Sequence, residues 1–201
     1  MCICIRPPEP GREDPEAKFE SEPCSDKPIA WIHTKAIIAQ TLLEAAWSET
    51  LNGQKEVKPW PWADTWPVSR LTVPRLGISR IVLAGASGAS LAFGPGLLYG
   101  TALPGTAGNT VIAGHRDTHF RFLRELKQGD EIALQTASGQ TIRYIIREIR
   151  IVNYRQTQYL ADRGRPVLTL ITCYPFNAVT PGGPLRYLVI ASPAPVSEKT
   201  I

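Results

Sequence analysis

Short runs of alternating apolar and polar residues between Val68 and Ala191 predict β-strands. The predicted strands cover residues 70–73, 78–83, 110–113, 131–135, 140–153, 167–172 and 185–191. Ser138-Gly139 predicts a hairpin turn between the fourth and fifth of these segments. Seven or eight short strands with few helices predict a mainly β fold, either a closed barrel or a sandwich.

Helical periodicity is confined to a few segments. Residues 31–51 predict one long helix that ends at Asn52-Gly53. Its apolar positions recur at three- and four-residue spacing: Ile37, Ile38, Leu42, Ala45 and Ala46. His119–Leu126 predicts a short helix with Phe120, Leu123 and Leu126 on one face, and the glycine-rich residues 85–100 predict a loop with at most one helical turn.

Composition divides the chain into four predicted parts. Residues 1–28 hold six prolines and seven acidic residues against four basic ones, so they carry a net charge of −3 and residues 29–201 carry +7. Few large apolar side chains occur there, which predicts disorder. We therefore predict a disordered head (1–30), a helix with a Trp/Pro-rich linker (31–67), a barrel (68–192) and a flexible tail (193–201).

The linker residues 58–67 contain three prolines, which preclude regular structure, together with Trp60, Trp62 and Trp66. Their large apolar area favours a linker held against the domain surface over a ligand-binding aromatic strip.

The basic residues are scattered among apolar positions, so we expect a solvated basic surface and no nucleic-acid partner. No apolar run reaches the ~18 residues of a membrane helix, and residues 1–28 lack the apolar core of a signal peptide.

Cysteine usage predicts neither a disulfide framework nor a structural zinc site. Cys2, Cys4 and Cys24 lie in the acidic head, and Cys2-Ile3-Cys4 lacks the C-x₂-C spacing of zinc ligands. Cys173 stands alone in the predicted barrel.

Reactive residues occur at three strand ends. His115 follows an apolar strand and a glycine, Cys173 ends the strand 167–172, and Arg186 interrupts an apolar strand. Individually these are most simply a surface histidine, a buried cysteine and an edge arginine. Together they supply the nucleophile, proton carrier and oxyanion stabiliser of an acyl transfer.

These segments resemble the three signatures of sortases, which are bacterial cysteine transpeptidases that join surface proteins to an amine. The matching segments are Gly114-His115-Arg116, Thr169-Leu170-Ile171-Thr172-Cys173 and Leu185-Arg186-Tyr187, within residues 68–191. The resemblance implies a closed barrel of about eight strands. The helix Trp31-Ile32-His33…Ala36…Trp47 resembles that of the Gram-negative sortase branch.

The resemblance also implies the chemistry. Cys173 would attack an LPxTG-like sorting signal between Thr and Gly, His115 would transfer protons, and Arg186 would hold the oxyanion. An amine or water would resolve the thioester without any metal or organic cofactor. Thr169, Leu170 and Thr172 of the cysteine motif would bind substrate.

Two other interpretations stay open. His115 and His119 could bind a metal ion with Cys173 as third ligand, although Arg116 between them disfavours a cation. A non-catalytic barrel could instead bind a partner through its tryptophans. A carboxylate that would complete a catalytic triad is not evident, and Asp117 is the nearest acidic residue to His115.

Sortases are normally anchored by an N-terminal membrane helix. The resemblance therefore implies membrane association at the extracytoplasmic face of the plasma membrane, and it also implies a surface-protein substrate. Residues 1–28 do not fit that pattern. We therefore expect either an altered start of this sequence or another signal that brings the protein to the membrane.

Overall fold

Eight strands form the main structure in the computed structural model, which describes residues 29–162, 164–178 and 183–195, with side chains from residue 37. The strands are β1 (Pro67–Val73), β2 (Ile78–Ala84), β3 (Gly96–Leu97), β4 (Asn109–Ala113), β5 (Glu131–Thr136), β6 (Thr141–Asn153), β7 (Val167–Tyr174) and β8 (Leu185–Pro193). They close in the order β1-β2-β3-β4-β7-β8-β6-β5. The predicted mainly β fold is confirmed as a barrel, and the sandwich is excluded. Residues 1–28 of the predicted disordered head (1–30) and residues 196–201 of the predicted tail lie outside the described residues, whereas residues 29 and 30 begin a helix.

Along the strands, alternate side chains point inward and fill the centre of the barrel. Leu71 and Val73 of β1 and Tyr144 and Ile146 of β6 are fully or almost fully buried in the central cluster. The β5–β6 hairpin forms as predicted, and Gly139 adopts the left-handed φ of +82° in its turn.

Within the described ranges, β2–β3 and β4–β7 are the only parallel pairs. The two-residue strand β3 was not predicted, because so short a segment has no periodicity. Its pairing depends on Gly96, where a Cβ would lie 2.1 Å from the carbonyl oxygen of Gly85. Between β2 and β3 the chain makes one helical turn, α2 (Gly88–Leu91), within the predicted loop of at most one such turn.

The short helix predicted for His119–Leu126 is a 3-10 helix at Arg121–Glu125. Phe120, Leu123 and Leu126 are buried in the central cluster, as their spacing indicates.

The long helix α1 (Ile29–Leu51) packs on the outside of the barrel with a different face from the predicted one. Most of the predicted face is exposed, and Ile37 retains 67% of its accessible surface. The buried positions are Leu43, Ala46, Trp47 and Thr50. Leu43 and Trp47 form a separate cluster with Ile81 and Leu83 of β2. None of the described helices is both long and apolar enough to cross a bilayer.

The segment after α1 has no helix or strand until β1. The Trp60 ring packs edge-on against Phe93, with the ring centroids 4.7 Å apart, and the Thr65 hydroxyl donates to the Ala84 carbonyl at 2.7 Å. Trp62 is 80% exposed, whereas Trp60 and Trp66 are half-buried. These contacts favour the interpretation as a linker held against the barrel.

Candidate active site

The parallel pairing of β4 with β7 brings distant parts of the chain to one edge of the barrel. Ala113, the last residue of β4, is the partner of Ile171. Parallel strands run in the same direction, so the residues that follow β4 lie beside the end of β7. His115 and Cys173 therefore emerge at the same edge.

The loop that carries His115 is held by tight packing and by backbone hydrogen bonds. A Cβ at Gly114 would lie 2.7 Å from the Phe120 ring, so this position requires glycine. The amide of Phe120 donates to the His115 carbonyl at 2.9 Å. The turn places the His115 side chain at the surface, where it is exposed.

Cys173 and Arg186 are direct partners in the antiparallel pair β7–β8. Opposite residues of such a pair project to the same face, with Cβ atoms about 4.5–5.5 Å apart. The Cys173 side chain is partly exposed and, within the described ranges, forms no disulfide. A thiol and a guanidinium thus face the same space.

The Arg186 guanidinium is oriented by its surroundings. Its Nη1 donates to the carbonyls of Gly183 at 2.7 Å and Leu185 at 2.9 Å. Its central carbon lies 5.7 Å from the centroid of the Tyr154 ring, within cation–π range. Among the described residues, its Nε and Nη2 groups donate to no acceptor.

All three predicted catalytic residues line one open cavity of about 370 Å³. Its remaining walls are largely apolar. They come from α2 and the segment before it, the start of the β3–β4 loop and the ends of β4 and β7: Ala86, Leu91, Leu98, Ala113 and Ile171. A cleft with apolar walls and a few converging polar groups is the usual form of a binding site. This cavity can hold a peptide carbonyl against the thiol, with a cationic donor and an imidazole in the same cleft.

The three residues predicted to bind substrate have other surroundings. Thr169 and Leu170 have no exposed surface, and neither lines the cavity, so substrate binding by these side chains stays a prediction. The Thr169 hydroxyl donates to Oδ1 of Asn109 at 2.9 Å. Thr172 does line the cavity, but its hydroxyl donates to the Gly114 carbonyl at 2.7 Å.

Asn109 was not predicted from the sequence to support the site, although a polar residue at the start of an apolar strand could have indicated such a role. Its side chain is buried and its Nδ2 donates to the carbonyl of Tyr159 at 3.1 Å. Together with Thr169 it therefore connects the strand pair β4–β7 to the loop after β6.

The alternative metal site is not formed. Across residues 29–162, 164–178 and 183–195, no cluster of three His, Cys, Asp or Glu side chains could hold a metal ion. The Nε2 atom of His119 lies 3.4 Å from the Ala92 carbonyl oxygen, and burial lowers the pKa of His119. Asp117 pairs with Arg116, at 3.1 Å between Oδ1 and Nε.

Comparison with known proteins agrees with this geometry. A family model described as "Sortase domain" matches residues 71–194. Sortase D of Bacillus subtilis (strain 168) is 32% identical over 120 residues, which cover 59% of this chain and 60% of that relative's length.

Solved structures are similar over most of the chain. A Clostridium perfringens Sortase D5 transpeptidase has a TM-score of 0.64 at 26% identity, covering 78% of this chain and 98% of that one. Sortase A from Corynebacterium diphtheriae has a TM-score of 0.61 at 27% identity, covering 80% and 86%. The Gram-negative assignment stays a prediction, because α1 lies outside the region that the family model matches.

Proposed function

Because this chain belongs to the sortase family, we propose that it is a cysteine transpeptidase that cleaves an LPxTG-like sorting signal between Thr and Gly. Cys173 forms a thioester with the threonyl carbonyl, and an amine or water then receives the acyl group. The observation that carries the proposal is the single cavity shared by Cys173, His115 and Arg186.

In the acylation step, the Cys173 thiolate attacks the carbonyl carbon of the Thr–Gly bond. The carbonyl oxygen becomes an oxyanion, which the fixed positive charge of Arg186 stabilises. When the C–N bond breaks, the His115 imidazolium protonates the departing glycyl amine. The products are a threonyl thioester on Cys173, a neutral His115 and a free amine.

In the second step, neutral His115 accepts a proton from the incoming amine as its nitrogen attacks the thioester carbonyl. The C–S bond breaks and the thiolate returns, so the site is restored with a new amide bond. Water in place of the amine gives a free carboxylate.

Family resemblance supports the biological setting of this proposal. The substrate is a surface protein with a C-terminal sorting signal, and the acceptor is an amine at the cell envelope. The proposed location is the extracytoplasmic face of the plasma membrane, with association to that membrane. Fractionation of the source cell with an antibody to the barrel tests this location.

The function is tested with a fluorogenic LPxTG-type peptide and purified variants. Cys173→Ala should abolish cleavage and leave the circular dichroism spectrum unchanged. His115→Ala and Arg186→Ala should each lower kcat/KM by about 10²–10³-fold, as expected for loss of a proton carrier or an oxyanion donor. Tyr99→Ala is a matched control at an exposed position outside the cavity. Wild-type activity of Cys173→Ala would refute the nucleophile assignment.

The covalent intermediate is tested by mass spectrometry of the protein quenched in acid during turnover. We expect a mass increase equal to the acyl fragment in the wild type and none in Cys173→Ala. A thiol alkylator should inactivate the protein and a chelator should not, which separates this proposal from metal catalysis. A variant with Cys2, Cys4 and Cys24 changed to Ser should remain fully sensitive to the alkylator. Resistance of that variant would show that another cysteine carries the effect.

A further inference from the structure

Arg116 is a buried arginine whose guanidinium donates hydrogen bonds to three residues. Only 6% of its surface is exposed. Its Nη1 donates to the Pro175 carbonyl at 2.8 Å, its Nη2 to the Ala178 carbonyl at 2.7 Å, and its Nε to Asp117 at 3.1 Å. Burying a charge is costly unless hydrogen bonds compensate it, so a position with this many bonds has a specific role.

The partners of Arg116 lie on the two segments that carry the reacting groups. Arg116 directly follows His115, and Pro175 lies two residues after Cys173. Its guanidinium therefore joins the histidine loop to the segment 175–178 that leaves β7. Arg116 does not line the cysteine cavity, so it does not contact a substrate held there.

Neighbouring arginines provide a contrast. Arg121 and Arg124 border the same small cleft as Arg116, but both side chains are exposed. Arg124 lies 3.8 Å from the Glu125 carboxylate, and neither arginine donates a side-chain hydrogen bond across to residues 175–178 in the described part of the chain. Arg121 and Arg124 therefore have the same charge as Arg116 and lie near it, but they are not hydrogen-bonded to residues 175–178 in the described part of the chain.

We propose that Arg116 is a positioning residue that holds His115 and Cys173 in reactive alignment by clamping the histidine loop to residues 175–178. The inference rests on the proposed function, because alignment matters only if both groups react. Arginine suits this role because its planar fork presents donors to two carbonyls at once, whereas an ammonium group is a point charge. A displacement of about 1 Å between reacting groups can lower a rate by about 10²-fold.

The kinetic test compares Arg116→Ala and Arg116→Lys with the control Arg121→Ala at 25 °C. We expect Arg116→Ala to lower kcat by about 10²-fold with KM within about threefold, because the lining of the cavity is retained. Arg116→Lys should recover part of kcat, and Arg121→Ala should match the wild type. Thermal unfolding shows which variants are folded at the assay temperature. If Arg116→Ala does not fold, the kcat of Arg116→Lys relative to the wild type decides whether the proposal stands. A folded Arg116 variant with wild-type kcat would overturn the proposal.

Hydrogen exchange measured by mass spectrometry tests the clamp without a substrate. Exchange at residues 174–178 should become at least tenfold faster in Arg116→Ala and remain unchanged in Arg121→Ala. Unchanged exchange in Arg116→Ala would overturn the clamp whatever the kinetics show. If the wild type cleaves no sorting peptide, the proposed function fails while the exchange result still decides whether Arg116 couples the two segments.

Discussion

Thr172→Val tests how the barrel fixes the histidine loop. The Thr172 hydroxyl donates to the Gly114 carbonyl at 2.7 Å, and the side chain is only 3% exposed. Valine has nearly the same shape but no donor. The substitution therefore leaves the Gly114 carbonyl without this partner and changes little else.

The expected loss follows from that burial. A buried acceptor that loses its partner costs about 1–3 kcal/mol, and we expect about 2 kcal/mol here. In a chain of this size each kcal/mol lowers the Tm by about 2–4 °C, so the Tm should fall by about 4–8 °C. Thr172→Ser is the matched control, because it retains the hydroxyl and removes one methyl group at about 0.8 kcal/mol.

Guanidinium chloride unfolding measures the stability of the wild type, Thr172→Val and Thr172→Ser. Cleavage of a sorting peptide measures kcat/KM for the same three proteins. Because Gly114 directly precedes His115, we expect Thr172→Val to lower kcat/KM by about tenfold and Thr172→Ser by less than threefold. A Thr172→Val protein within about 0.5 kcal/mol of the wild type, or less impaired than Thr172→Ser, would refute the hydrogen-bond argument.

Two further predictions concern the helix and the pH dependence of stability. Trp47→Ala should lower the free energy of unfolding in guanidinium chloride by about 3 kcal/mol, because the Trp47 ring is fully buried. Ile38→Ala, at an exposed position, should lower it by less than about 0.5 kcal/mol. The reverse order would contradict the observed buried face of the helix. Burial, and then the charges of Arg80 and His115, lower the pKa of His119 in the folded state. The stability that neutral His119 contributes to the folded state is therefore complete above about 6.5, the pKa of histidine in the unfolded chain. It is lost as the pH falls through the lower pKa of the folded state. Tm measured from pH 7.5 to 5 should fall less steeply in His119→Gln, and an equally steep fall would contradict this assignment.

The N-terminal helix shows what periodicity can and cannot predict. Its existence and its end at Leu51 follow from spacing and from Asn52-Gly53, but the buried face does not. Apolar residues occur on both sides of α1, so the sequence offers two possible faces. The choice depends on Ile81 and Leu83, which project outward from β2 and pack against Leu43 and Trp47. That contact joins residues far apart in sequence.

The same limit applies within the site. Cys173, His115 and Arg186 could be proposed from their strand ends and from family resemblance, and the structure places them around one cavity. Thr169 and Leu170 belong to the same motif, but both are buried: Leu170 lies in the central cluster, and Thr169 bonds to Asn109. From the sequence, Arg116 belongs to the histidine motif and disfavours a metal ion, but its partners at Pro175 and Ala178 become visible only in three dimensions.

The strand order also determines when the site can exist during synthesis of the chain. His115 follows β4, Cys173 lies near the end of β7, and Arg186 lies on β8, the last strand in the described part of the chain. β8 is also the strand that joins β7 to β6 and closes the barrel. An unfinished chain therefore carries the thiol without its guanidinium partner. Barrel closure and the pairing of Cys173 with Arg186 therefore depend on the same strand.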